Sequence, residues 1–325
     1  MQPLGTTEPL GTTEGPSTSE ARLGPSSRVS SGLLSLVIAG LLWGTGGITG
    51  RALADSAHLS PIAVAAYRLG VGGALVVISL LATGQRPPRG AAAWRRILAV
   101  AVLAAVFQAA YFSAVAVGTV SVATLVAIGS SPVFVLLYES VRHRRLPQRR
   151  ATMVVVLALI GLTMLVGVPA GGQSMPKELA CAGLAAFSGL TFAAFTLLGR
   201  RPLVGVDERG VTGYGFGLGG LLLAPVAALS GGLGFTVSPE NLGLLTLLAI
   251  APTALAYTLF FRGLRTVAAS TATVVALLEP LTGTLLSIAL LGERLSPAGY
   301  AGALLLGGAI VISARTQTAP TSGGV

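Results

Sequence analysis

Ten apolar segments, each long enough to cross a bilayer, make up most of this chain, and its basic residues lie almost entirely on one side of them. Each segment has roughly 17–25 residues, the length that a helix rising 1.5 Å per residue needs to cross about 30 Å of hydrocarbon. The segments are approximately Leu33–Ala54, Pro61–Thr83, Trp94–Val117, Ser121–Tyr138, Thr152–Val168, Leu179–Leu198, Val211–Ser230, Leu242–Phe261, Val267–Leu291 and Ala298–Ala314.

The distribution of the basic residues predicts the orientation of these segments. If the N-terminus is cytoplasmic and the connections alternate, only Arg51, Lys177 and Arg294 lie outside, and Arg68 lies within a segment. The other 17 of the 21 Lys and Arg residues then face the cytoplasm, as the positive-inside rule requires. We therefore predict ten helices with both termini cytoplasmic, because an odd number of spans would place part of this charge on the wrong side.

The composition excludes a nucleic-acid-binding protein, although the net charge is +10 and the pI is about 11.0. The chain is 53% hydrophobic and only 10% charged, and its arginines form short clusters beside the apolar segments. The predicted partners are the lipid bilayer and a small-molecule substrate, with no nucleic acid, and the sequence indicates no oligomeric state. Lys177 is the single lysine, a bias typical of bacterial genomes rich in G and C, which predicts the bacterial plasma (inner) membrane.

Both ends of the chain are polar. Residues 1–30 contain the tandem repeat LGTTEP–LGTTEG, and residues 315–325 are also polar, so both are predicted to be disordered cytoplasmic tails. No short basic region precedes an apolar core at the N-terminus, as a cleavable signal peptide would require. A single cysteine, Cys181, excludes an intramolecular disulfide and is expected to be a small core residue.

Short motifs recur in the same order in the two halves of the membrane part, at offsets of 145 to 149 residues. This predicts a duplicated unit, with a first repeat over residues 31–170 and a second over residues 171–314. Five helices per repeat is an odd number, so the second copy would be inserted upside down. The predicted fold is an all-α integral membrane protein of ten transmembrane helices in two inverted five-helix repeats. The paired motifs are Leu42-Trp43-Gly44 with Phe187-Ser188-Gly189, Gly118-Thr119-Val120 with Arg265-Thr266-Val267, Ser131-Pro132 with Glu279-Pro280, and Arg145-Leu146-Pro147 with Arg294-Leu295-Ser296-Pro297.

Several of these motifs carry a family resemblance. Trp43-Gly44, Ser60-Pro61 and Tyr67-Arg68 resemble the first half of an EamA domain, and the run from Ala268 to Thr273, Leu278-Glu279-Pro280 and Leu291-Gly292-Glu293-Arg294-Leu295 resemble its second copy. The chain is thus similar, over residues 31–314, to ten-helix members of the drug/metabolite transporter superfamily, EamA family. The resemblance implies export or uptake of a small metabolite. The first half departs from the family pattern, with Ser131-Pro132 in place of Glu-Pro and Arg144-Arg145-Leu146 in place of Gly-Glu-Arg-Leu.

Two charged residues within the predicted spans are candidate site residues. Arg68 lies roughly 10 Å below the outer boundary, where it either snorkels to the surface or faces the cavity to attract an anion or close a gate. Glu279 lies deeper, where a carboxyl group without a partner favours its neutral form. Glu279 either ties neighbouring helices together beside Pro280 or serves as a proton-coupling or amine-binding group. Glu293 is expected to form a cap or a salt bridge in an outer loop.

Other residues could line a pocket or loosen a helix. An apolar pocket with a few hydrogen-bonding groups suits Trp43, Tyr67, Gln108, Tyr111, Tyr214 and Tyr257, although Trp and Tyr also favour the membrane interface. Prolines within spans each remove a backbone donor and loosen the helix, and they are Pro132, Pro225, Pro252 and Pro280.

The sequence offers little for catalysis. His58 and His143 are predicted on opposite sides of the membrane, and no GxSxG, HExxH or P-loop motif is present, so no catalytic residue, metal or cofactor is predicted. The favoured function is secondary transport of an amino acid, amine or similar amphipathic metabolite by alternating access, with export favoured and possible coupling to the proton gradient. A channel-like facilitator for small solutes is the alternative, and an intramembrane enzyme is the remote one.

Overall fold

Ten long apolar helices make up the computed structural model, which describes residues 25–167, 174–201, 207–292 and 294–318. The described part contains no strand. The prediction of an all-α integral membrane protein with ten spans is therefore confirmed. The helices are α1 Pro25–Ala57, α2 Pro61–Ala82, α3 Ala91–Val117, α4 Val120–His143, α5 Arg149–Val166, α6 Met175–Gly199, α7 Glu208–Leu229, α8 Pro239–Leu264, α9 Ala269–Leu290 and α10 Pro297–Thr318.

Proline and hydroxyl caps explain where several helices begin. The side chain of Ser60 accepts a hydrogen bond from the Ala63 N–H just before Pro61, and Ser238 caps the Asn241 N–H in the same way before Pro239. A cap of this kind satisfies one free N–H, and proline at the first position has none to satisfy.

The two ends of the helical part extend further than predicted. Helix α1 begins at Pro25 and α10 continues to Thr318, so residues 25–30 and 315–318 are helical, although the sequence placed them in polar tails. The rest of both predicted tails, residues 1–24 and 319–325, and Glu293 lie outside the described residues.

Two helices of the second half are interrupted in the middle. In α8 the residues Ile250–Leu255 form a π-helical turn around Pro252, and the Thr253 hydroxyl donates to the Leu248 carbonyl at 2.9 Å. In α9 a tight turn at Leu277 separates two helical parts, just before Glu279 and Pro280. A missing proline N–H permits such a local change of hydrogen-bonding pattern. By contrast, α4 and α7 continue through Pro132 and Pro225 without a break.

Helices α2 and α7 meet backbone to backbone. A Cβ added to Gly73 would lie 2.6 Å from the Gly213 carbonyl oxygen and in contact with Gly217. A Cβ added to Gly220 would lie 2.5 Å from the Gly70 nitrogen and 2.8 Å from the Ala66 carbonyl oxygen. As residue numbers rise along α2 they fall along α7, so the two helices are antiparallel where they touch. Only glycine permits this approach, as is common between membrane helices.

Helices α5 and α10 form a second contact of the same kind. A Cβ on Gly161 would lie 2.9 Å from the Gly302 carbonyl oxygen and 2.6 Å from the Leu306 nitrogen, and one on Gly302 would lie 2.5 Å from the Leu165 nitrogen. These two helices are antiparallel as well. We call the α2–α7 and α5–α10 contacts the glycine seams. Each seam joins two equivalent helices, the second helix of each half at one seam and the fifth helix of each half at the other.

The remaining packing repeats when the halves are exchanged. Helix α3 packs on α6 as α8 packs on α1, and α4 packs on α6 as α9 packs on α1. The contact of α4 with α6 matches that of α9 with α1 in detail. A Cβ on Gly189 of α6 would meet Ala127 and Ser130 of α4, and a Cβ on Gly40 of α1 would meet Val275 and Leu278 of α9.

These contacts correct one motif match made from the sequence. Gly189 takes the place of Gly40 and not of Gly44, so the match between the first and sixth helices is displaced by one helical turn. Phe192 then corresponds to Trp43, and both halves place an aromatic ring at this position.

Candidate functional site

A cluster of aromatic rings lies between the two halves. Trp43 of α1 packs edge-on against Tyr257 of α8 at a centroid distance of 4.9 Å, and Tyr257 packs edge-on against Phe216 of α7 at 4.5 Å. The Ser188 hydroxyl donates to the Phe107 carbonyl at 3.0 Å and so ties α6 to α3 beside the cluster. We call the aromatic residues that pack here the ring cluster. It consists of Trp43, Phe107, Phe192, Phe195, Phe216, Tyr257, Phe260 and Phe261.

A narrow pocket lies against the ring cluster and has room for about one water molecule in this conformation. Helices α2 and α3 of the first half and α6 and α8 of the second contribute its walls. The walls are apolar except for the Gln108 amide and the Tyr257 hydroxyl, a composition typical of small-molecule sites. The lining residues are Leu69, Leu103, Ala104, Phe107, Gln108, Phe192, Phe195 and Tyr257.

Arg68 and Glu279 lie beside the pocket on different halves. The Arg68 guanidinium group is within electrostatic reach of the Glu279 carboxyl group and of the Tyr257 and Tyr111 hydroxyl groups. No direct ion pair joins Arg68 to Glu279, in contrast to Arg51 and Asp55 on the outer surface. Arg68 and Glu279 therefore act on each other through space and not through a direct contact.

Glycines of α1 allow two irregular helix segments to pack closely beside these two residues. A Cβ on Gly44 would lie 3.0 Å from the Glu279 carbonyl oxygen, and a Cβ on Gly46 would lie 3.2 Å from Pro252 and 4.0 Å from Arg68 Nη1. The Gly44–Gly47 stretch of α1 thus passes between the α9 break on one side and the α8 π-turn on the other. Because glycine has no side chain, both irregular segments can approach α1 closely.

Three buried nitrogen atoms near the pocket have no hydrogen-bond partner. They are Trp43 Nε1, Arg68 Nε and Gln108 Nε2, and they complete the set of such side-chain atoms in the described part of the chain. A buried donor without a partner costs about 1–3 kcal/mol. All three belong to residues that the sequence selected as site candidates, so the unused hydrogen-bonding capacity is concentrated at this place.

The structure brings five of the seven predicted site residues together, namely Trp43, Arg68, Gln108, Tyr257 and Glu279. Tyr111 lies farther along α3, still within electrostatic reach of Arg68 and Glu279, and its hydroxyl group shares a hydrogen bond of 2.8 Å with that of Thr124.

Two tyrosines considered for the pocket make their contacts elsewhere. Tyr67 points to the connection between α7 and α8, where its hydroxyl donates to the Leu233 carbonyl at 2.5 Å and its ring packs on Phe235. Tyr214 packs against Trp94 at a centroid distance of 5.8 Å.

Sequence reasoning missed the phenylalanines of the ring cluster. It considered only aromatic side chains with a polar group, so Phe107, Phe192, Phe195 and Phe216 were not among the candidates. A signal was present on α6, where Phe192 and Phe195 are three residues apart and therefore share one face of the helix.

Comparison with known proteins places this architecture in a family. The sequence profile described as "EamA-like transporter family" matches twice, over residues 30–167 and 179–315. The chain belongs to the EamA-like transporter family. The two matches correspond to helices α1–α5 and α6–α10.

Curated relatives of this EamA-family chain are named as transporters. The chain is 31% identical over 290 residues to the "Uncharacterized transporter YwfM" of Bacillus subtilis, with 89% of this chain and 96% of the relative covered. It is 25% identical over 290 residues to the "Uncharacterized inner membrane transporter YicL" of Salmonella typhimurium, with 86% and 94% covered. A protein of known crystal structure shares the fold, with a TM-score of 0.74, 21% sequence identity and coverage of 88% of this chain and 98% of that one.

Proposed function

We propose that this EamA-family chain is a secondary carrier, which moves a small amphipathic metabolite across the membrane and leaves it chemically unchanged. The observation that carries the proposal is the pocket between the halves, because the partnerless Gln108 amide lines it and the ionisable residues Arg68 and Glu279 lie beside it. A site that binds and releases a solute needs polar groups that the protein itself does not saturate.

The proposed mechanism is alternating access through inverted repeats. The antiparallel glycine seams and the exchange symmetry of the packing support an inverted relation between the halves. When two inverted halves exchange conformations, an inward-facing state becomes an outward-facing state around a fixed site. The α8 π-turn and the α9 break supply the flexible backbone that such a movement needs.

The membrane and the orientation are part of the proposal. We place the chain in the bacterial plasma membrane with both termini cytoplasmic, on the strength of the arginine distribution. Reporter fusions after residue 145, beyond α4, and after residue 175, at the start of α6, should report opposite compartments. The same compartment for both fusions would contradict the ten-helix orientation.

Export and proton coupling are the finer parts of the proposal. Export is favoured by the family resemblance, and Glu279 is the candidate proton carrier because it is an acid beside the pocket. The decisive experiment compares metabolites inside and outside cells with and without the gene, and then measures counterflow of the identified compound in proteoliposomes. Saturable counterflow supports a carrier. Flux that never saturates, together with single-channel currents, would support a channel-like facilitator.

A further inference from the structure

The chemistry of the pocket selects among the substrate classes that a carrier could accept. Trp43 is 5% exposed and Gln108 is 4% exposed, yet both carry a buried N–H group without a partner, and Arg68 adds a third at Nε. All three atoms are donors, and one of them belongs to a cation. The site therefore lacks hydrogen-bond acceptors more than it lacks donors.

A carboxylate supplies what is missing. It accepts at two oxygens with about four lone-pair positions, and it can pair with the planar guanidinium group through two parallel hydrogen bonds. An amine ligand would leave all three donors without partners and would bring a second cation to the single carboxyl group of Glu279. An alcohol could accept hydrogen bonds from the donors but would not neutralise the Arg68 charge.

The walls of the pocket select the rest of the molecule. Rings of the cluster lie 4.5–6.2 Å apart and present flat apolar faces, and Leu69 and Leu103 close the sides. In this conformation the pocket has room for about one water molecule, so a ligand enters only when the surrounding helices separate. Flat apolar walls of this kind suit a compact ring or branched aliphatic group and disfavour a large polar one.

We propose that the substrate is a small amphipathic carboxylate, whose carboxylate group is bound by Arg68, Trp43 and Gln108 and whose apolar body packs on the ring cluster. This inference rests on the proposed carrier function and deepens it. In the empty site Glu279 lies within electrostatic reach of Arg68 without a direct ion pair. The substrate carboxylate becomes the direct partner of Arg68 when it binds.

Binding can be measured with a tryptophan reporter inside the site. The chain has two tryptophans, so Trp94→Phe leaves Trp43 as the single fluorophore. The protein in lipid nanodiscs is titrated with 3-phenylpropionate, 3-phenylpropan-1-ol and 3-phenylpropylamine, which have the same body and differ in the end group. We expect saturable quenching with a Kd for the carboxylate about tenfold lower than for the other two, as one charge-assisted pair provides. Equal Kd values, or a lower one for the amine, would overturn the inference.

Variants assign the preference to the named groups. Arg68→Gln should abolish the preference for the carboxylate, whereas Arg51→Gln, which removes an exposed arginine from the outer end of α1, should leave it unchanged. If Arg68→Gln does not fold, Glu279→Gln still tests the idea. Removing the competing anion should tighten binding of 3-phenylpropionate severalfold, and an unchanged Kd would contradict the proposed arrangement.

Counterflow in proteoliposomes separates this inference from the carrier function. If the compound found by metabolite comparison undergoes counterflow but is a neutral molecule or an amine, the carrier stands and the substrate class is wrong. If 3-phenylpropionate binds at Trp43 as expected but no compound undergoes counterflow, the substrate chemistry stands and the carrier proposal fails.

Discussion

The two halves of the molecule share their packing but differ in their irregular backbone and in their intramembrane charge. In the first half α3 and α4 are continuous, and Pro132 lies in an unbroken helix. In the second half the counterparts α8 and α9 are interrupted at Ile250–Leu255 and at Leu277. The intramembrane acid, Glu279, lies on the interrupted α9, and Ser131 takes its place on the continuous α4.

Symmetric packing of the halves therefore does not require the same chemical groups in both. The glycine seams depend on close backbone contact, which a substitution in either half would disturb equally. The proposed site depends on single ionisable groups, one arginine from the first half and one acid from the second. Substitutions in equivalent positions should therefore have equal effects at the seams and unequal effects at the site.

The largest effect is expected at the α2–α7 seam. Gly73→Ala and Gly220→Ala each place a Cβ within 2.6 Å of backbone atoms of the opposite helix, which cannot move as a flexible side chain would. Overpacking of this kind costs about 1–3 kcal/mol or more. We expect both variants to lose most of the monodisperse protein in size-exclusion chromatography after detergent extraction.

Matched controls lie on the same two helices. A Cβ on Gly70 or on Gly217 would meet nothing within 4 Å, so Gly70→Ala and Gly217→Ala should be extracted in normal amount. If only one of Gly73→Ala and Gly220→Ala loses monodisperse protein, the two halves do not contribute equally to this seam.

The second prediction concerns the acid that only one half possesses. Glu279→Gln keeps the size and hydrogen bonding of the side chain but cannot release a proton. If Glu279 couples protons, the variant should lose uptake driven by a pH gradient by about tenfold or more, and substrate exchange without a gradient should remain measurable. Ser131→Ala, at the equivalent position, should retain the wild-type response to the gradient. A gradient response in Glu279→Gln equal to that of the wild type would make Glu279 a structural residue.

The third prediction concerns the charge of the first half. Arg68→Lys keeps the positive charge and the ability to snorkel but loses the planar fork of five donors. We expect transport to fall by about tenfold while the protein reaches the membrane in normal amount, because one bidentate contact is lost. Arg51→Lys is the control, since this side chain is exposed and paired only with Asp55. Normal transport kinetics in Arg68→Lys would remove Arg68 from the site.

The smallest effect is expected from the prolines. Pro252→Ala restores a backbone N–H in the π-turn and favours a regular helix there, which would rotate the following residues, Tyr257 among them. We expect the transport rate to fall by about threefold, a modest loss because the helix itself remains. Pro132→Ala in the continuous α4 should change the rate much less. Equal effects of the two substitutions would show that the interruption of α8 has no part in transport.

Much of the fold could be predicted from the sequence because it depends on local properties. Apolar segments of sufficient length predicted the ten helices. The missing proline N–H marked Pro252 and Pro280 as places where a helix could be interrupted, but it marked Pro132 and Pro225 equally, and those helices are continuous. The ring cluster was not predictable in this way, because Phe216 and Phe260 meet Trp43 and its neighbours only after distant helices pack. Tyr67 is the opposite case, because the sequence suggested it for the pocket but its side chain lies elsewhere. Neighbouring residues of a helix lie on different faces, so Tyr67 and Arg68 point in different directions from α2.

The glycine seams also have a consequence for biogenesis. The partner of α2 is synthesised only after about 130 further residues, which takes roughly 7–30 s at about 5–20 residues per second. During this time the small-residue face of α2 lacks the helix that it packs against in the folded protein. The partner of α5 is α10, which also follows about 130 residues later in the chain, so the second seam waits for a distant helix as well. A chain that stops before Pro297 therefore leaves Gly161 without its counterpart and presents an unfinished membrane surface to the cell's quality control.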